Sequence, residues 1–286
     1  MQPVGNGAPM RAMVEMEQVW DRTAAFLRAR RATLVALALP ALFVPAVIGG
    51  LAETAAAQDV GASAGIWMPV RLVAGLLMLW AELAILALAA GLDSPRAAFR
   101  QAGLRLPVVI GFALLVTALL LLLAMPAAAI LVAFGFDFVA AAAGESVTPS
   151  VAAAAWIALY ALVLIPLLLW VAARLSLLPP VILEERRGLR AIARTFTLTR
   201  GLAAKIIGMF LLYGIVSTVL TAATQYAGGT ILALIFGSDD GLGVASVLTL
   251  LLTTLVETAL AVMLWVFTGK LYLAARERQD GTAAHR

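Results

Sequence analysis

Residues 106–134 read LPVVIGFALLVTALLLLLAMPAAAILVAF, an apolar stretch without a single charged side chain. A helix needs roughly 20 apolar residues to cross about 30 Å of hydrocarbon, so this stretch can span a bilayer and is long enough that it must tilt or break. Five further apolar stretches lie around it, at 32–52, 67–91, 151–173, 202–226 (with an apolar extension to 236) and 244–271. The sequence therefore predicts six transmembrane helices.

Composition supports the same class. The 286 residues are 63% hydrophobic and 13% charged, whereas a soluble domain is about half apolar and about a quarter charged. We therefore expect an all-α, polytopic membrane protein with short cytoplasmic amphipathic helices. The predicted domains are a cytoplasmic N-terminal segment at 1–31, a six-span membrane domain at 32–273 and a cytoplasmic tail at 274–286.

Basic residues indicate the orientation of the spans. All but one of the 20 lysines and arginines fall within 11–31, 96–105, 174–205 and 270–286. The intervening loops carry only acidic charges: Glu53, Asp59, Asp137, Glu145, Asp239 and Asp240. Because cytoplasmic loops collect Lys and Arg, this alternation predicts a protein of the inner (cytoplasmic) membrane with both termini in the cytoplasm. It also explains the net charge of +4 without a nucleic-acid partner.

The N-terminal basic segment is amphipathic. Helical spacing places Val19, Trp20, Thr23, Phe26 and Leu27 on one face, which predicts a helix on the membrane surface with Trp20 and Phe26 dipping into the interface. Arg22-Thr23 and Arg194-Thr195 align at one constant offset. We therefore predict three units, each a surface helix followed by two spans, with chance similarity between basic helices as the open alternative.

Helix-breaking residues interrupt several spans: Pro40 and Pro45 in the first, Pro126 in the third, Pro166 in the fourth, and Gly228-Gly229 in the fifth stretch. Proline removes a backbone hydrogen bond and kinks a helix. Two interpretations stay open, because broken helices bind solutes in transporters but also occur as ordinary kinked packing.

Three ionisable side chains form a candidate intramembrane polar site. Glu82 and Glu257 lie at similar predicted depth in the second and sixth spans, where a charge is costly. They could form a proton-coupled or polar-substrate site, sharing one proton if their helices are neighbours, or each could make a structural interhelical hydrogen bond. Arg71 lies near the outer end of the second span, where it could reach headgroups, pair with Glu53 or Asp59, or contact an anionic ligand.

Catalytic constellations are missing from the sequence. It has no cysteine, and its single histidine, His285, is the penultimate residue. The lack of cysteine excludes thiol chemistry. A single histidine gives very little support to histidine catalysis or a histidine-ligated metal. We expect no enzymatic activity, no metal and no cofactor.

The most distinctive segment is 174–201, RLSLLPPVILEERRGLRAIARTFTLTRG. Pro179-Pro180 predicts an extended turn, across which Arg174 could pair with Glu184. The remainder predicts a basic amphipathic helix that would lock the fourth and fifth spans together. Its predicted apolar face comprises Leu189, Ile192, Ala193, Phe196 and Thr199, with Arg190, Arg194 and Arg200 outside that face.

This segment resembles a bacterial membrane-domain family whose members occur alone or fused to glycerophosphodiester phosphodiesterases. The matching positions are Arg174, Pro179 or Pro180, Glu184, Gly188, Ala191, Arg194, Leu198, Thr199, Arg200 and Gly201. The resemblance implies a multi-spanning inner-membrane protein. It does not imply phosphodiesterase activity, which belongs to a separate domain with metal-binding acids and histidines.

Two functions remain as hypotheses. The chain could handle a lipid or amphiphile, or assist a membrane transport process, without catalysis of its own. Alternatively, it could be a structural or regulatory membrane partner whose basic interfacial helices dock a cytoplasmic protein. Membrane lipids are the expected partners, and either a protein partner or a second copy of the chain is compatible with the sequence.

Overall fold

The computed structural model describes residues 16–58, 64–142, 146–185, 190–237 and 243–283. Within these ranges the ordered elements are all helical, and none is a β-strand. The α-helices are α1 Met16–Ala29, α2 Arg31–Ala38, α3 Val44–Gln58, α4 Ala64–Ala89, α5 Pro95–Ala133, α6 Phe138–Ala142, α7 Val151–Leu175, α8 Leu178–Glu185, α9 Arg190–Leu198, α10 Ala203–Ala223, α11 Gly229–Phe236 and α12 Val244–Ala283. Two π-helical turns, Leu39–Phe43 and Thr224–Gly228, join α2 to α3 and α10 to α11.

Six helical segments in the described chain are long and apolar enough to cross a membrane: Arg31–Ala56, Trp67–Ala89, Pro95–Ala133, Val151–Glu184, Ala203–Phe236 and Val244–Asp280. The predicted all-α, six-span fold is thereby confirmed. The chain is a multi-pass membrane protein.

The short helices α1, α8 and α9 collect at one end of the bundle. α1 packs along the last part of α12, and α8 and α9 contact the same region of α12. The turn between α4 and α5 lies at the same end. It is attached there by an ion pair between Asp93 and Arg30, which follows α1, with 2.9 Å between Oδ1 and Nη2. We call this the basic end, and the other side of the bundle the opposite end.

The second span forms the centre of the bundle. Every side chain from 83 to 89 is buried, and α4 packs against α3, α5 and α12. Gly269 permits the close approach of α12, because a Cβ placed there would lie 2.6 Å from the Cβ of Ala89. Burial of this apolar surface against protein defines the core.

The third, fourth and fifth spans lie around this centre and expose many apolar side chains along their length. Such faces are expected of helices that contact lipid. Most of their buried residues, including Phe112, Ala173 and Ile206, lie toward the basic end. A hydrogen bond of 2.6 Å from the Tyr160 hydroxyl to the carbonyl oxygen of Leu123 links α7 to α5 farther along the spans.

Both α1 aromatics that were predicted to dip into the membrane interface are half-buried and contact α12. Trp20 lies 4.9 Å from Phe267, centroid to centroid, and the Lys270 ammonium lies 4.2 Å from the centroid of Phe26. Val19 and Thr23 on the same face are buried. The apolar stripe of α1 is thus used to cover α12.

The prediction of three units, each with a separate surface helix, is wrong for the middle unit. Residues 95–105 continue into the third span as one helix, α5, with Pro95 in its first turn. Pro107 lies inside α5 without ending it. The predicted boundary at residue 273 likewise falls inside a continuous helix, α12.

The helix-breaking residues differ in their effects. Pro40 lies in the first π-helical turn, whereas Pro126 and Pro166 lie inside uninterrupted helices. Gly228-Gly229 does not end the fifth span, which continues through the second π-helical turn into α11. Instead, both glycines allow α12 to pack closely, with Leu252 beside Gly228 and Thr249 beside Gly229.

Candidate functional site

Glu82 lies on α4 where this helix faces α12. Its side chain is partly buried, and the Trp265 side chain of α12 lies beside it. Tyr213 of α10 lies in the same neighbourhood. The indole N–H can only donate, so it suits the Glu82 carboxyl group as a partner. These contacts agree with a structural interhelical hydrogen bond.

Glu257 lies in a different environment. Its side chain is exposed and lines a cavity of about 540 Å³ between α12 and the α10–α11 segment. Trp265, which lies beside Glu82, is eight residues farther along α12, or about 12 Å along the helix axis. The structure therefore makes α4 and α12 neighbours but gives the two predicted carboxylates separate surroundings.

Polar side chains make up much of the lining of the cavity beside Glu257. Ser246, Thr249 and Thr253 line it from α12, and Gln225 lines it from the π-helical turn. The spacing of 246, 249, 253 and 257 places these α12 residues on one face. We call this space the polar cavity.

Arg71 forms an ion pair with Glu53, at 3.9 Å between Nη2 and Oε1. Both side chains are largely exposed, so the pair adds little to stability. One of the predicted partners is therefore present, while the other, Asp59, lies outside the described residues. Arg71 is not brought together with Glu82 or Glu257 by any contact in the described chain.

Arg174 fastens the end of α7 to α9. Its Nη1 donates to the carbonyl oxygen of Phe196 at 3.1 Å and to Oγ1 of Thr199 at 3.5 Å. Its guanidinium also lies 5.3 Å from the centroid of Trp170 and 5.7 Å from that of Phe196. The predicted pair with Glu184 is wrong, because Arg174 instead contacts the carbonyl and ring of Phe196 on α9 and the ring of Trp170 on its own helix, α7.

Pro179 and Pro180 begin a helix and do not form the predicted extended turn. They occupy the first turn of α8, where a missing N–H is not needed by the helix. Glu184, near the end of α8, accepts a hydrogen bond of 3.3 Å from Gln101 Nε2, and Gln101 also donates to the Leu183 carbonyl at 3.0 Å. α8 is thus attached to α5. Gly188 lies outside the described residues.

The buried face of α9 is rotated from the predicted one. Ala191, Thr195, Leu198 and Thr199 are buried, while Ala193 is exposed. Arg194 is partly buried and donates to Gln279 of α12, and Arg200 is exposed. Gly201 has φ of +79°, a left-handed conformation that closes the helix and favours glycine.

α1 and α9 make equivalent contacts at an offset of 172 residues. Thr23 and Thr195 are both fully buried, and each donates its hydroxyl to the carbonyl oxygen four residues earlier, at 2.7 and 2.8 Å. The arginine before each threonine reaches the end of α12, where Arg22 pairs with Glu277 and Arg194 with Gln279. Other helical threonines of the chain make the same local bond, so the internal repeat stays a prediction.

A second cavity of about 540 Å³ lies between α5 and α7, with α8 forming its floor. Its lining is almost wholly apolar and includes Val109, Phe112 and Val116 of α5. We call it the apolar cavity. Sequence reasoning missed it, because it depends on how α7 and α8 pack. The sequence did show one related feature. Arg105 precedes Val109, a lining residue, by four residues, so a cation lies on the helix face that lines the cavity.

Comparison with protein-family models, with curated proteins and with solved structures gives no match to this chain. Within the described residues, no three histidine, aspartate or glutamate side chains group as metal ligands. The resemblance of residues 174–201 to the membrane-domain family stays an expectation. The site conclusions therefore rest on the geometry of the two cavities and of the basic end.

Proposed function

We propose that this protein is a non-enzymatic membrane protein that handles an anionic lipid or amphiphile, or assists its movement, in the bacterial inner membrane. The observation that supports this proposal best is the apolar cavity. Its volume of about 540 Å³ falls within the roughly 300–1,000 Å³ of small-molecule sites. Its apolar walls suit an acyl chain, since no charged residue of the described chain lines it.

Arg105 places a positive charge near one end of the apolar cavity. It lies one helical turn beyond Val109 toward the basic end, and its side chain is partly buried. A guanidinium binds phosphate and carboxylate groups through paired hydrogen bonds. An acyl chain in the cavity would therefore carry its anionic headgroup beside Arg105.

The basic end supports the same proposal. Arg28, Arg31, Arg96, Arg100 and Arg200 are exposed there. Exposed cations near a membrane attract anionic headgroups. With both termini cytoplasmic, as proposed from the positive-inside rule, these arginines would face the cytoplasmic leaflet.

Lipid analysis of the protein extracted into polymer-bounded discs tests this function. We expect one anionic lipid class to be enriched over the bulk membrane by several-fold. Ala113→Phe, which fills the cavity, and Arg105→Gln should each remove most of the enrichment. Ala118→Phe and Arg96→Gln are matched controls, because they make the same changes on other faces of α5. Equal lipid composition in all variants would contradict the proposal.

A structural or regulatory partner is the second candidate. The exposed arginines of the basic end also suit an acidic protein surface, because they remain available after the internal ion pairs have formed. The same discs distinguish the two functions. Docking would be favoured if one polypeptide repeatedly copurified with the protein and was lost when Arg28, Arg31 and Arg200 were replaced by glutamine. In that case the lipids in the discs should match those of the bulk membrane.

A further inference from the structure

The polar cavity extends from the opposite end of the bundle toward its middle. Ser246 lies near the start of α12, and Glu257 lies eleven residues later, or about 16 Å along the helix axis. The π-helical turn Thr224–Gly228 and α11 form the facing wall. π-Helical turns occur frequently at functional sites. The cavity thus leads from the end of the sixth span to a carboxylate within that span.

The Glu257 carboxylate needs a partner. In the part of the chain that the structure describes, no hydrogen bond or ion pair reaches it. A charge at this depth is costly unless a cation or a polar cavity compensates it. Glu82, by contrast, is partly buried and has the indole of Trp265 beside it as a possible donor. Glu257 is therefore the carboxylate that is free to bind a ligand.

The other polar groups of the cavity are suited to accept hydrogen bonds. The Oγ1 atom of Thr253 is buried and has no partner among the described residues. Thr249 already donates its hydroxyl proton to the carbonyl oxygen of Ala245 at 2.8 Å, so its oxygen faces the cavity as an acceptor. The Gln225 side chain adds an amide oxygen from the facing wall.

This arrangement selects among possible cations. An ammonium group offers three N–H donors, which match the carboxylate and the hydroxyl oxygens. A quaternary ammonium has no N–H and is typically held by aromatic rings. None of the described residues that line the polar cavity is aromatic.

We propose that the polar cavity binds the primary ammonium group of a small amphiphile, with Glu257 as its counter-ion and Thr253 as a hydrogen-bond acceptor. The ligand reaches the cavity from the opposite end of the bundle, with its apolar part along α11. This proposal is independent of the apolar cavity, which lies between other helices and carries no carboxylate. Its ligand is either a free alkylamine or a lipid with an amine headgroup.

Thermal unfolding of the purified protein in detergent at neutral pH tests the proposal, with n-octylamine as the probe. Tryptophan fluorescence reports the midpoint Tm. We expect octylamine to raise Tm saturably, whereas octyltrimethylammonium and octanol leave it unchanged or lower it. Glu257→Gln should abolish the rise, and Glu53→Gln, which changes an exposed carboxylate outside the cavity, should preserve it.

Thr253→Val provides a second test that does not depend on the folding of the Glu257 variant. Valine keeps the shape of threonine but removes the acceptor, so the octylamine concentration for half-maximal effect should rise several-fold. Competition by added phosphatidylethanolamine, but not phosphatidylcholine, would identify an amine-headgroup lipid; absence of competition would identify a free amine. An equal Tm response to octyltrimethylammonium, or an unchanged octylamine response in both variants, would overturn the proposal.

Discussion

The ammonium of Lys270 on α12 donates a hydrogen bond of 2.9 Å to the carbonyl oxygen of Ala89, the last residue of α4. Carbonyl groups at a helix C-terminus lack partners within the helix, and a cation there also interacts favourably with the helix dipole. Arg30 donates to the carbonyl oxygens of Leu92 and Asp93, in the turn that follows α4. One cation therefore caps the central span, and a second holds the turn that leads from it to α5.

Replacing Lys270 by methionine should destabilise the protein, because the methionine fills similar space but donates no hydrogen bond. We expect a loss of about 1–3 kcal/mol, the cost of leaving a partly buried polar group unpaired. Thermal unfolding in detergent measures this loss. Arg100→Met, which removes an exposed cation from the same end of the bundle, is the control. An unchanged Tm for Lys270→Met would show that water replaces the ammonium without cost.

Gly269→Ala tests the close packing of α4 and α12. The added Cβ would lie 2.6 Å from the Ala89 Cβ and 3.2 Å from the Ala89 backbone carbon, so the helices must separate. Overpacking of this kind costs about 1–3 kcal/mol. Gly111→Ala adds the same methyl group in open space and should be neutral or slightly stabilising. Equal Tm values for the two variants would contradict the observed packing.

Arg174→Lys should loosen the contact between α7 and α9. Lysine keeps the charge but lacks the planar guanidinium, which lies close to both Trp170 and Phe196. We expect a loss of about 1–2 kcal/mol in stability, measured by thermal unfolding in detergent. Arg200→Lys, at an exposed position, is the matched control. Equal Tm values for the two variants would indicate that charge alone holds this contact.

Orientation can be measured with single cysteines, because the natural sequence contains none. We expect a membrane-impermeant thiol reagent to label Glu53→Cys and Asp137→Cys in intact cells, and to label Arg100→Cys only after the membrane is permeabilised. Both acidic positions are exposed in the structure, so access is not limited by burial. Labelling of Arg100→Cys from outside would reverse the predicted topology.

The spans could be predicted from sequence because each backbone polar group in a lipid environment must be satisfied within its own helix, which makes long apolar stretches nearly unambiguous. The short helices were harder to predict. Pro179-Pro180 suits both a turn and the first turn of a helix, and only the packing of α8 distinguishes them. The Ala193 side of α9 is apolar enough to be buried, but the buried threonines hide their hydroxyls by bonding their own backbone.

The sequence identified individual residues of the candidate site but not which of them lie close together in space. Glu82 and Glu257 stand out in sequence because intramembrane carboxylates are rare. Their different surroundings follow from which helix each one faces, and this depends on the glycine contacts of Gly228, Gly229 and Gly269. Cavities form where neighbouring helices fail to meet, so one helix alone does not reveal them.

The continuity of α5 has a mechanical consequence. As 39 residues in one helix, it is about 58 Å long. Its contacts with α4 and α8 lie toward the basic end, where Gln101 is bonded to α8. The part beyond residue 106 is about two and a half times as long as the part before it. A tilt of α5 about this point would therefore move its far end farther than its near end, and the Tyr160–Leu123 hydrogen bond would carry that movement to α7.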